Sequence, residues 1–150
     1  GMSEVLTDLA TATGDSKWMQ LAAMFERPCF VRPLMLHYHE GGHSHDSAVA
    51  GAGSPSVGAG SPSLAASAME RMHGNTHLPQ ILGAMARYEA SGDESLRGAA
   101  EAFWRELSDG HQYATGGSTV GETWREANTL GDPVSQCGLR NHGAHDTHET

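Results

Sequence analysis

The chain has 150 residues, enough to bury a real hydrophobic core in one domain. Its formal net charge is −9, with nine Lys plus Arg, which argues against nucleic acid and anionic membrane as partners. Hydrophobic residues are 38% and charged residues 18%, both low because Gly, Ser and Ala fill the remainder, and no apolar run approaches the ~18 residues of a membrane span.

Residues 2–12 (MSEVLTDLATA) place Met2, Val5, Leu6 and Leu9 on one face of a helix. This pattern starts at once after Gly1, so the chain reads as the interior of a longer one rather than as a tagged start. Gly14 then supplies a helix stop and Asp15 an N-cap for a second helix over about 16–26. That helix carries Trp18, Met19, Leu21, Ala22 and Phe25, and Pro28 is expected to stop it.

The same grammar returns in LPQILGAMARYEA, residues 78–90, followed by Gly92-Asp93 and a partner helix over 94–107. Aligning Gly14 with Gly92 sets Ala12-Thr13-Gly14-Asp15 on Ala90-Ser91-Gly92-Asp93, Trp18 on Leu96, Ala22 on Ala100 and Phe25 on Phe103. This is a diverged repeat of one αα-hairpin, and repeated αα-hairpins imply an all-α toroid or solenoid. Between the hairpins, GAGSPSV-GAGSPSL from Gly51 to Leu64 is a tandem repeat of turn-forming residues. It is expected to bulge out as a low-complexity insertion over about 46–66.

Three constellations could carry chemistry. His73-Gly-Asn-Thr-His77-Leu-Pro79 precedes the long helix, with Asn75 or Thr76 placed to cap it and His73 placed to point from its N-terminus into a cavity. Two histidine tracts follow another logic: His37, His39, His43 and His45 before the insertion, and His142, His145 and His148 near the end. They support an alternative in which the chain is a non-enzymatic helical module that binds divalent metal. The cysteines, Cys29 and Cys137, sit in no CxxC pair.

The third constellation is HQYATGGSTVGETW, from His111 to Trp124. Gly116 and Gly117 allow positive φ or close approach to a ligand. No Gly-Lys-Ser/Thr follows them, so the loop is no phosphate cradle, and there is no serine-nucleophile elbow. Glu122 follows the glycines and stands beside Trp124. A carboxyl against an indole suits a sugar site, where the ring stacks and the acid protonates a leaving oxygen. A solvated glutamate on an ordinary surface loop is the competing reading.

Taken together, GMSEVLTDLATATGD, FERPCF…PL, HGNTHLP, YEASGDESLRGAAEAFW and YATGGSTVGETW resemble, in order, the β-L-arabinofuranosidase catalytic domain of glycoside hydrolase family 127. They cover nearly all of residues 1–45 and 69–126. The resemblance implies an (α/α)6 toroid and retaining hydrolysis of a terminal β-L-arabinofuranoside or a related glycoside, with carbohydrate as the partner. It maps the acid/base onto Glu122, a sugar contact onto His73 and a zinc ligand onto Glu149 in DTHET; Trp124 is expected as a second sugar contact from the stacking argument above. The nucleophile the resemblance implies is a cysteine thiolate on zinc, among later cysteines expected beyond Thr150; the cysteine of the DTHET motif would come one residue after Thr150, and Cys137 is in the wrong context to replace them. Met2 stands where the family's active members carry a sugar-binding histidine, which leaves the substrate sugar open. Residues 1–150 are therefore expected to be an internal fragment of one catalytic domain, inactive by itself.

Overall fold

A computed structural model of the protein describes residues 1–39 and 63–131. Among these residues there are six helices: α1 (Met2–Thr13), α2 (Lys17–Met24), α3 (Pro28–His39), α4 (Leu64–Met69), α5 (Gly74–Ser91) and α6 (Glu94–Gly110). The extended pairing among them is limited to two isolated bridges, His73 with Thr123 and Val120 with Thr123. The described part is all-helical, as the periodicity predicts. None of its helices is long and apolar enough to cross a membrane.

The two anticipated hairpins are built from one turn chemistry. In the first, Gly14 takes φ 69° and donates its N–H to Ala10 O at 2.8 Å. In the second, Gly92 takes φ 74° and donates to Tyr88 O at 2.7 Å. Both glycines sit in the left-handed region that a helix C-terminus often needs and that a Cβ disfavours. The hydroxyl before each glycine bonds back into its helix, Thr13 Oγ1 to Leu9 O and Ser91 Oγ to Arg87 O. The aspartate after each glycine accepts from the backbone two residues on, at 3.0 Å in both turns: from Lys17 N–H to Asp15 and from Ser95 N–H to Asp93. Each aspartate thereby satisfies an N–H that the next helix would otherwise leave open. Lys17 at the first turn also holds the Asp15 carboxyl below the usual carboxylate range.

The likeness of the hairpins stops at the turns. Phe103 on α6 is buried in the core, whereas its aligned partner Phe25 is 46% exposed. Phe30 supplies the aromatic that the first half lacked, from a helix the hydrophobic period did not reveal. Pro28 does not merely end α2, which stops at Met24; it opens α3. A proline at the first helical position sacrifices an N–H that has no intrahelical partner anyway, so the same residue ends one helix and starts another.

Two further expectations are corrected. On α1 the buried residues are Ser3, Leu6, Thr7 and Ala10, while Met2 and Val5 are 55% and 59% exposed. The reason is close approach: a Cβ on Gly83 of α5 would stand 2.7 Å from Ser3 Cβ. Small residues let the backbones come near, so the narrow face turns inward and the large apolar side chains are displaced outward. The low-complexity insertion, placed over about 46–66, ends too late. Ser63 already caps α4, its Oγ accepting from Ala66 N–H at 2.9 Å, and Ala65 is fully buried.

Packing runs α1 on α2 and α5, α5 on α6, and α3 on α4 and α6. The core lies between α3, α4 and α6: Phe30, Val31, Leu34, Met69, Ala99, Phe103 and Leu107, joined by Ile81 and by Trp124 from the loop after α6. Burying each large side chain contributes about 1.5–3 kcal/mol.

Candidate active site

The loop after α6 is fixed at its root by a buried contact between a histidine and a carboxyl group. His111 ends the helix and is fully buried, with Nε2 3.4 Å from Glu106 Oε1. Neither ring nitrogen makes a well-directed hydrogen bond, so the contact is electrostatic. The His111 imidazole holds the Glu106 carboxyl below the usual carboxylate range; burial opposes the shift, and Ser63 Oγ donating to Oε2 at 2.9 Å adds to it. A tight turn follows, with Gly116 at φ 97°. There Gly116 N–H donates to Tyr113 O at 2.9 Å and Tyr113 N–H to Gly117 O at 2.7 Å. Ser118, Thr119 and Val120 then run through the interior, all under 10% exposed.

At Val120 the chain turns back on two residues. Val120 N–H donates to Thr123 O at 2.9 Å and Thr123 N–H returns a longer bond of 3.4 Å to Val120 O. Between them Gly121 and Glu122 both have positive φ, 58° and 66°. Two central residues at positive φ mark a type I′ hairpin turn, whose twist matches paired extended backbone and which favours Asn, Asp and Gly. Glycine satisfies the first position without strain. Glutamate at the second does not, and a non-glycine residue held there stores about 1–3 kcal/mol. Such strain persists only where the surroundings impose it.

Here the surroundings are the approach to α5. Arg71 N–H donates to Trp124 O at 2.9 Å, Trp124 N–H to Met72 O at 3.1 Å, and Gly74 N–H to Glu122 O at 2.8 Å. These three bonds zip residues 71–74 to residues 122–124. The two motifs singled out in the sequence, HGNTHLP and TGGSTVGETW, are thereby laid side by side. His73 Nε2 meets Glu122 Oε2 at 2.9 Å, with side chains 38% and 47% exposed. The pair is reachable from solvent and built on strained backbone.

His73 itself is the N-cap residue of α5, which begins at Gly74. The helix therefore starts earlier than predicted, and Asn75 and Thr76 lie in its first turn instead of capping it. Thr76 Oγ1 stands 3.3 Å from His73 Nδ1. Its hydroxyl donating there leaves His73 with hydrogen on Nε2, aimed at the Glu122 carboxylate.

Trp124 is corrected as a sugar contact. Its ring is fully buried, stacked parallel on Phe30 at 6.2 Å and set edge-to-face on Phe103 at 5.5 Å, with Nε1 donating to Ser118 Oγ at 3.1 Å. No face remains for a sugar; the indole anchors the turn that carries Glu122. Glu149, Cys137, His43, His45, His142, His145 and His148 lie outside the described residues. Of the remaining histidine tract, His37 is half-buried on α3. Among the described residues no three His, Cys, Asp or Glu side chains group as a metal site requires. Cys29, on α3, is exposed.

Sequence reading missed two features. Val-Gly-Glu-Thr, with β-favouring residues around a glycine-led pair, is a short-hairpin signal that could have found the turn. Nothing local announced that His77 and Arg27 would meet behind His73.

A histidine-paired carboxyl thus stands on a strained turn, open to solvent at the side of an all-helical core. The family model of the beta-L-arabinofuranosidase, GH127 catalytic domain, matches residues 1–140, and the chain belongs to that family. It is accordingly a glycoside hydrolase at family level, with carbohydrate as its substrate class. No curated protein matches the chain.

Proposed function

We propose that the chain carries the acid–base half of a retaining glycosidase site acting on terminal β-L-arabinofuranosides or related glycosides. Glu122 is its acid/base and His73 a contact to the sugar. The observation that carries this reading is the Glu122 carboxyl, imposed on strained backbone 2.9 Å from His73 and still half open to solvent.

The chemistry follows from a two-step displacement. The protonated Glu122 carboxyl gives its hydrogen to the leaving glycosidic oxygen; the resulting carboxylate then takes a hydrogen from the water that releases the sugar. His73 holds one carboxyl oxygen and so fixes the orientation of the group. The two hairpins with one turn chemistry support an (α/α)6 toroid as the fold of the whole domain.

The zinc-held cysteine thiolate implied by the family falls to residues outside those described, with Glu149 proposed among the metal ligands. The described residues supply no ligand group for that metal. Assayed alone, residues 1–150 should give no retaining hydrolysis, and measurable turnover would refute that.

Glu122→Gln in the enzyme should lower kcat for an aryl β-L-arabinofuranoside by about 10²–10⁴-fold, the usual share of a positioned acid/base. Turnover close to that of the parent would remove Glu122 from the role.

A further inference from the structure

One turn further along α5 from His73 lies a second histidine that the acid–base reading leaves unused. His77 is 4% exposed, its ring set edge-on to Phe30 at 4.8 Å. Its Nδ1 stands 2.8 Å from the backbone carbonyl oxygen of His73. A carbonyl only accepts, so Nδ1 carries the hydrogen. Its Nε2 stands 3.4 Å from Arg27 Nη1. A guanidinium only donates, so Nε2 carries none. The two partners together specify one neutral tautomer. Burial, the largest influence, pushes His77 below the ordinary histidine range, partly opposed by the bond to His73 and reinforced by the Arg27 charge.

The His73 carbonyl also receives the backbone N–H of Thr76 at 3.2 Å and of His77 at 3.1 Å. Three donors converge on the peptide group that follows the His73 side chain. Arg27 is tied to the same helix, its N–H donating to Gln80 Oε1 at 2.9 Å. The segment between α2 and α3 is thus docked behind α5, on the buried side of the residue that faces Glu122.

We propose that Arg27, His77 and Thr76 form a positioning relay for His73. Arg27 selects the His77 tautomer, His77 clamps the His73 carbonyl, and Thr76 directs the His73 ring so that Nε2–H meets Glu122. None of the three touches substrate. The catalytic consequence rests on Glu122 and His73 being the working pair, whereas the relay is a statement about hydrogen positions that can be read without turnover.

Two substitutions at His77 separate hydrogen bonding from packing. His77→Phe keeps an aromatic ring against Phe30 and removes both nitrogens. His77→Gln keeps one donor for the His73 carbonyl and one acceptor for Arg27. Long-range proton–nitrogen spectra of the imidazoles then give the tautomers directly. In the parent, His77 should be the neutral Nδ1–H form at neutral pH and should titrate below a free histidine. His77→Phe should change the His73 tautomer ratio and His77→Gln should restore it. Arg27→Met, in case the ring replacement does not fold, should turn the His77 signals into a mixture of forms.

In the enzyme, His77→Phe should lower kcat by about 10–100-fold, as small misplacements of a catalytic pair do, with KM little changed and His77→Gln recovering most of the loss. An unchanged His73 spectrum in His77→Phe, or a protonated His77 at neutral pH in the parent, overturns the relay. If Glu122→Gln leaves turnover intact, the acid–base reading fails alone, because the spectra still decide whether the relay exists.

Discussion

The backbone at Glu122 makes a prediction whose sign is unusual. At most positions alanine is the more stabilising replacement, because glycine gives up more chain entropy on folding. Glu122 has φ 66°, where an L-residue costs about 1–2 kcal/mol and glycine does not. Against this, glycine's looser unfolded chain returns about 0.4–1 kcal/mol to alanine. The difference leaves Glu122→Gly more stable than Glu122→Ala by roughly 1 kcal/mol. Both variants lose the contact to His73 equally, and both keep the backbone bond from Gly74 N–H to the residue-122 carbonyl, so those contributions cancel. Against the parent, the lost half-exposed pair is worth under ~1 kcal/mol, so the glycine variant should be nearly as stable while losing hydrolysis. Urea denaturation at neutral pH measures the difference, and thermal unfolding should place the glycine variant about 3 °C higher than the alanine variant. Equal stabilities, or alanine ahead, would mean that residue 122 is not held in the left-handed region and that the turn is wrongly described.

Other perturbations test other links. Gly98→Ala adds a methyl whose Cβ would run into the Tyr38 ring, so it should destabilise by about 1–3 kcal/mol even though helix propensity alone favours alanine; a raised melting temperature would contradict the close approach of α3 and α6. Trp124→Ala should cost about 3–5 kcal/mol through loss of the contacts to Phe30 and Phe103, and its native emission should be that of a water-shielded indole; a cost within experimental error would return Trp124 to the surface. Acid should weaken the fold in two windows. His77 is held below its ordinary value, so its contribution is complete above about pH 6.5 and declines as pH falls toward the lowered folded value; His77→Gln should flatten that stretch of a stability profile. Glu106, held low beside His111, contributes fully above about pH 4.3 and loses that contribution as pH falls through its folded value, a limb that Glu106→Gln should remove.

Much of this was legible from local pattern. The turns at Gly14 and Gly92 are written in their own residues: a hydroxyl, a glycine and an aspartate specify back-bond, left-handed stop and N–H acceptor without help from elsewhere. The periodicity of α5 and α6 and the ordered family motifs are likewise properties of short windows, which is why the all-helical class and the family could be named before any coordinates. Glu122 and His73 could be singled out one at a time. Their meeting could not, because 49 positions separate them and three backbone bonds between 71–74 and 122–124 decide it. The same holds for inside and outside. Hydrophobicity pointed Met2 and Val5 of α1 inward, but the distance between two helix backbones turned Ser3 inward against Gly83. The indole beside the Glu122 carboxyl read as a sugar contact, and packing between α3 and α6 made it core. Pattern reports what a segment prefers; which preference prevails is settled by neighbours that only the folded chain brings within reach.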